Sequence, residues 1–402
     1  MNTVYEKPTV NVHGDLLMVE HITERINSEK DYNKDIIDNI IKNSENSDLS
    51  KIRLFKFSEY EKLGFPVWKR AKLNGFDPKN YKKINIKTNL PLINTESAGI
   101  EAMEILGVYD FEGADRKFVL MSDAFFNSGF YINGKDYNNK EIVINYDLNE
   151  NIIENTIIKM PENTNLRIIR IINGTKNDGF KNNVLRGVLE KNSSLTIINV
   201  NILGENDINI DNEFFDLKEN SSLNIFDLHI SGKISSPHIV VRFSEKNAKA
   251  NIKPYFLGYG NTVTDMLYLM RFYGKDTFGS INGKGVLKDT AKSVFRGFLD
   301  LKKGAKEATA DESEYTLVLS EKARAEAIPS LLVDENEVNA AHAASVGTIN
   351  EDKLYYLMTR GFSTEEAKKL ISMAIFEPFI DEIEQLHPET AEVIRNVIIS
   401  KI

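Results

Sequence analysis

A 28-residue repeat runs through the middle of the chain. Leu189–Ile197 reads Leu-Glu-Lys-Asn-Ser-Ser-Leu-Thr-Ile, and Leu217–Ile225 returns as Leu-Lys-Glu-Asn-Ser-Ser-Leu-Asn-Ile. Weaker copies flank the pair at Pro161–Ile168 and Ser244–Ile252, so that the pivots Asn163, Asn192, Asn220 and Asn247 are spaced 29, 28 and 27 residues apart. Gly274 and Gly304 are expected to continue the series. Each unit reads as a polar turn around a residue that tolerates positive φ, followed by an alternating apolar strand. A fixed period with one supersecondary unit per repeat stacks rungs over a continuous core. β-branched strands with no helical stripe between them favour a β-helix over leucine-rich or helical repeats. An asparagine recurring at the same turn is read as structural.

Helical signals bracket this solenoid. Ile36, Ile37, Ile40 and Ile41 recur at helical spacing, and Ser58 to Glu61 has the spacing of a capping box. Trp68, the only tryptophan, is expected to anchor a small helical cap. Between Lys87 and Asn149 the pattern reads as short β-like runs, such as Lys117–Met121 and Glu141–Tyr146, with turn chemistry at Asn133 to Lys140. From Glu351 the tail is helical. Gly361 is a C-cap, Ser363 to Glu366 a second capping box, and Leu370, Ile371, Ala374, Ile375 and Phe379 an apolar stripe with a kink or stop at Pro378. Pro388 opens a last helix with Val393, Ile394, Val397 and Ile398 on one face. The expected layout is mainly β: an N-terminal helical region over 1–89, a right-handed parallel β-helix core over 90–345, and a C-terminal helical cap over 346–402 that closes the open end of the solenoid.

Composition narrows the function. The 402 residues carry a net charge of −9, which argues against a nucleic-acid partner. No apolar leader opens the chain and no stretch is long enough for a membrane span, so a cytoplasmic location is expected. There is no cysteine, which removes disulfides, thiol nucleophiles and thiolate cluster ligands from this chain. Gly279 to Gly285 falls one residue short of a phosphate loop and lacks the hydroxyl after its lysine.

The distinctive run lies near the C-terminus. Pro329, Leu331, Val333, Val338, His342, Ala344, Val346 and Gly347 fit a P-x-L-x-I…D-V-x-x-x-H-x-A-x-V-G strand and turn. Tyr356, Leu357, Arg360, Gly361, Glu366 and Ala367 fit the Y-L-x-x-R-G-x-x-x-x-E-A helix start that follows. This resembles the SufD branch of the SufB/SufD family of iron–sulfur cluster assembly proteins, with Glu337 standing where the family usually has aspartate. Lys284 to Gly297 resembles the K-G-V-L-x-D-x-A-x-x-V-F-x-G stretch shared by both branches. The Gln-rich strand that follows in relatives is replaced by Asp311-Glu312-Ser313-Glu314-Tyr315, and Leu317 to Ser320 resumes the pattern.

The resemblance implies a non-catalytic scaffold subunit that pairs with a SufB homologue and binds the SufC ATPase through its tail. Tyr356, Leu357, Arg360, Gly361, Glu366 and Ala367 are then the docking residues. It also implies that His342 faces a SufB cysteine where an iron–sulfur cluster forms transiently, making His342 the candidate metal ligand. No cofactor is expected on this chain alone. Glu335 and Glu337 are weaker candidates for iron entry, since carboxylates are hard ligands. From residues alone, a lone histidine in a turn is usually solvated and an acidic turn usually just polar. The alternatives are a β-helix polysaccharide-active enzyme and a homodimeric structural β-solenoid, and a homodimer in isolation fits the SufD reading too.

Overall fold

The computed structural model describes residues 32–66, 87–88, 93–95, 99–108, 115–148, 151–174 and 178–402; Trp68 lies outside them. Two short strands, β1 (Lys87–Thr88) and β2 (Ile93–Asn94), precede a parallel β-solenoid made of two facing sheets. One sheet holds β3 (Phe130–Asn133), β5 (Ile152–Met160), β7 (Phe180–Leu189), β9 (Ile208–Leu217), β11 (Ile234–Phe243), β13 (Val263–Phe272), β15 (Lys292–Leu301) and β17 (Arg324–Val333). The other holds β4 (Lys140–Asp147), β6 (Asn165–Asn173), β8 (Ser194–Ile202), β10 (Ser222–Ile230), β12 (Lys249–Gly258), β14 (Phe278–Leu287), β16 (Ala308–Val318) and β18 (Val338–Gly347). The chain alternates between the sheets, so each repeat contributes one strand to each. A core rich in Ile, Leu, Phe and Ala fills most of the space between them.

The repeat turns behave as their asparagines suggest. Asn163, Asn192, Asn220 and Asn247 all adopt positive φ between 56 and 60°. Their side-chain amides form a ladder along the solenoid, with Asn192 donating to Asn163, Asn220 to Asn192 and Asn247 to Asn220 over 2.9–3.0 Å. The next two pivots are Asp276 and Glu307, at φ 57 and 58°. Gly274 is not one of them: it lies against the Glu245 carbonyl, where a Cβ would come within 2.0 Å of the oxygen.

Helices flank the solenoid at both ends of the chain: α1 (Lys34–Lys42), α2 (Ser47–Tyr60), α3 (Ile100–Val108) and α4 (Arg116–Phe125) before it, and α5 (Glu351–Thr359), α6 (Thr364–Leu386) and α7 (Pro388–Lys401) after it. Lys117–Met121 is therefore helix rather than strand, and the segment expected to form the β-helix core from residue 90 carries two helices, α3 and α4, before the first solenoid strand. Five apolar-rich residues do not distinguish the two periods; Asp115 decides it by accepting from the Lys117 amide as N-cap. Ser58 lies inside α2, its hydroxyl donating to the Phe55 carbonyl, while Asn46 is the actual N-cap. The helix α6 runs through Pro378 without stopping.

Both helical groups lie on the outer faces of the sheets. The N-terminal group packs on the early rungs through Ile153, Ile157, Phe180, Val188 and Ile210. It is pinned there by buried Asp123 on α4, which accepts two 2.9 Å bonds from Arg186 of β7 and pairs with Lys56 of α2 at 3.2 Å. Despite burial, Arg186 and Lys56 hold the Asp123 carboxyl below its usual range. The C-terminal helices pack Phe376, Phe379, Ile380, Ile383, Ile394 and Ile398 on Ile198, Phe226, Leu228, Tyr255 and Leu257 of the second sheet. The tail thus covers a side of the solenoid and leaves its last rung open, because the outward residues of β8, β10 and β12 are as apolar as the inward ones.

The early rungs also bury charge between the sheets. Arg170 contacts Glu213, and Lys181 contacts Asp211 at 3.0 Å and Glu154 at 3.5 Å. Burial, offset in part by Arg170, pushes the Glu213 carboxyl up to about 7. Lys181 and Arg170 hold Asp211 well below the usual carboxylate range in spite of its burial.

Candidate functional site

The solenoid begins and ends differently. β1 pairs antiparallel with β4 and β2 pairs antiparallel with β3, so each edge of the first rung carries a two-residue antiparallel cap. Among the described residues β17 bonds only to β15 and β18 only to β16, leaving the outer edge of each sheet with backbone donors and acceptors that no described strand pairs. Leu332, Val333 and Val346 are exposed on this last rung.

His342 sits in the middle of β18, not in a turn; the turn is Asp334 to Glu337 before it. Its register gives the histidine a context that the sequence does not display. Ile142, Ile168, Ile197, Ile225, Ile252 and Ile281 pair in order across the second sheet and form an inward column of buried isoleucines. The next residue up is Glu312, and the last is His342. Partners in a parallel ladder present their side chains on the same face. His342 therefore faces the interior side and is exposed only because no rung covers it.

Glu312 is the residue that sequence reasoning passed over. It is 1% exposed, and neither carboxylate oxygen has a hydrogen-bond partner among the described residues. Its carboxylate rests over Gly297 of β15, where a Cβ would lie 2.6 Å from Cγ and Oε1. Burial, with Glu314 and Asp311 close by, pushes the Glu312 carboxyl up to about 8. Glu314 is also inward and raised by burial, with one oxygen accepting from the Thr316 hydroxyl. The register partner of Glu314 on the last strand is Ala344, whose small side chain leaves the space above it clear. The only sequence signal was the replacement of a Gln-rich strand by Asp311 to Tyr315. Which of those residues face inward depends on register.

The other acidic candidates are not brought to His342. Glu335 accepts from the Gly304 and Asn336 amides, which lower its carboxyl, and Glu337 pairs with Lys306 at 3.4 Å on the surface. Five residues of extended chain separate Glu337 from His342, about 16 Å at the usual rise.

The tail candidates gather at the elbow between α5 and α6. Gly361, at φ +96°, closes α5: its amide donates to the Met358 carbonyl and that of Phe362 to the Leu357 carbonyl, a Schellman pair. Ser363 and Glu366 then form the capping box that starts α6, so Glu366 has a local structural task. Ala367 is buried. Tyr355, 70% exposed, with Tyr356, Met358, Phe362 and Leu370, presents an apolar surface to solvent. The Arg360 guanidinium lies 5.1 Å above the Tyr356 ring, and a shallow groove runs past Lys353, Tyr356, Leu357 and Ile371.

A family model described as SUF system FeS cluster assembly, SufBD core domain, matches residues 143–375, well over half of the chain. The chain belongs to the SufBD family. This SufBD chain is 40% identical over 131 residues to the iron–sulfur cluster assembly protein SufD of Bacillus subtilis, a match spanning 33% of the chain and 30% of that protein. It is 25% identical over 347 residues to an iron–sulfur cluster assembly SufBD family protein of Staphylococcus saprophyticus, covering 81% of the chain and 74% of that protein. A SufBD family protein of Staphylococcus aureus is 24% identical over the same length. The family match begins within β4 and takes in the solenoid, the open rung and the elbow. No helix among the described residues of the SufBD chain is long and apolar enough to cross a membrane.

Proposed function

We propose that this chain is a SufD-type, non-catalytic scaffold subunit of a SUF iron–sulfur cluster assembly complex, working in the cytoplasm. Its open last rung pairs edge to edge with a SufB-type chain, and a cluster assembles transiently as cargo beside His342. The observation that carries this reading is that rung: two strand edges unpaired among the described residues, with a histidine and a buried carboxylate ending a column of isoleucines. Imidazole can take the place of a thiolate on a cluster iron. This chain has no cysteine, so the thiolates come from the partner. That absence also favours the SufD over the SufB branch.

The exposed elbow between α5 and α6 fits docking of a SufC-type ATPase, with Tyr356, Leu357 and Arg360 at the surface and Gly361 fixing the bend. α6 is anchored on the second sheet through Phe376, Phe379 and Ile380, so a force on the elbow passes into the solenoid rather than into a flexible tether. Neither ATP hydrolysis nor resident cofactor chemistry is assigned to this chain.

Co-expression with SufB and SufC homologues, followed by size exclusion with light scattering, tests the reading. A stable three-component complex is expected, with SufC lost when residues after Asn350 are deleted. A chain that remains monomeric or homodimeric in the presence of both partners overturns it.

A further inference from the structure

Inward positions below the last rung carry isoleucine at the same register six times, and the seventh carries Glu312. Placing a carboxylate there is costly, because a buried polar group left without a hydrogen bond loses its hydration with nothing in return. Both oxygens lack partners, the side chain is 1% exposed, and Gly297 leaves the hollow in which the carboxylate rests. Its register partner His342 makes no hydrogen bond or ion pair among the described residues and shares its face. The strands carrying them lie roughly 4.8 Å apart. That spacing leaves room for an ion bound at about 2.0–2.2 Å by an imidazole nitrogen on one strand and a carboxylate oxygen on the other.

We propose that Glu312 and His342 form a two-ligand half-site for a first-row divalent cation at the mouth of the solenoid. This rests on the reading of the open rung as the place where iron is handled, and it names the protein ligand that accompanies His342. Nitrogen and carboxylate donors together suit ferrous iron and its neighbours in the first row. Among the described residues no three histidine, aspartate or glutamate side chains gather as a metal site, so the remaining positions fall to water or to whatever docks on the rung. Ala344 and Ala340 flank the histidine on its own strand, so no bulky side chain stands beside the imidazole. Glu314, held by Thr316, adds a second carboxyl beside the site without closing it.

The test is anaerobic titration of the full-length chain with Co2+, followed by calorimetry and by visible absorption. The wild type is expected to bind one ion with a histidine-dependent change in the cobalt spectrum. Glu312→Gln and Glu312→Asp are each expected to weaken binding about tenfold or more, with melting temperatures no lower than the wild type. If Glu312→Gln binds like the wild type while His342→Ala does not, the role of Glu312 is overturned and the histidine site stands. If the wild-type chain binds no Co2+, or if both variants bind like it, the half-site is overturned. Partner docking is judged separately by co-purification.

Discussion

The two ends of the solenoid solve the same problem in opposite ways. At the first rung, two-residue antiparallel strands cap both sheet edges, and the helices beside it are locked down by buried Asp123, Arg186 and Lys56. At the last rung, among the described residues, both edges are unpaired, apolar residues face solvent, and a buried carboxylate has no partner. Sheet edges left open are aggregation hazards that proteins normally cover. The C-terminal helices are long enough to serve as a cover but are used on the side wall instead. The first end is built for stability. The last end is left open.

The largest expected effect comes from breaking the lock at the first end. Asp123→Ala leaves Arg186 buried without its anion and should cost about 3–5 kcal/mol, seen as a lower midpoint in urea. A loss below 1 kcal/mol would show that the helices are held by apolar packing alone. At the other end, Glu312→Ile extends the isoleucine column and should stabilise the isolated chain by about 1–3 kcal/mol. Loss of stability in that variant would mean that the carboxylate is satisfied in solution and that the two ends differ little.

The buried charges of the early rungs give a pH test. The Glu213 carboxyl titrates near 7 when folded and near 4.5 when free, so the contribution tied to its protonated form is present in acid and lost as pH rises through 7. Glu213→Gln should therefore gain on the wild type between pH 5 and pH 8, by on the order of 1–2 kcal/mol, in paired thermal melts. A difference that stays flat with pH would place the titration elsewhere. His342→Ala should change the stability of the isolated chain by less than about 0.5 kcal/mol, since the side chain is exposed and unbonded. A larger loss would make the histidine a structural residue.

Much of the solenoid was legible because its signals are local. Asn163, Asn192, Asn220 and Asn247 announce positive φ at a fixed period, and the strands between them follow. The elbow was legible for the same reason, since Gly361 and the Ser363–Glu366 box act on adjacent residues. What failed depended on contacts distant in sequence. Lys117–Met121 is too short for its period to be read. The tail was expected over the last rung, but which surface a helix covers is set by the outward faces of β8, β10 and β12. Gly274 lay near the right spacing, yet insertions moved the pivot to Asp276. Glu312 looked like a departure from a pattern until register placed it between Ile281 and His342.

Hydrogen–deuterium exchange of the chain alone and bound to its SufB homologue tests the central claim most directly. The account predicts that amides in 324–347 exchange readily in the free chain and become protected in the complex, while those in 130–147 change little. Protection confined to the first rung or to the side walls, with 324–347 unchanged on binding, would contradict it.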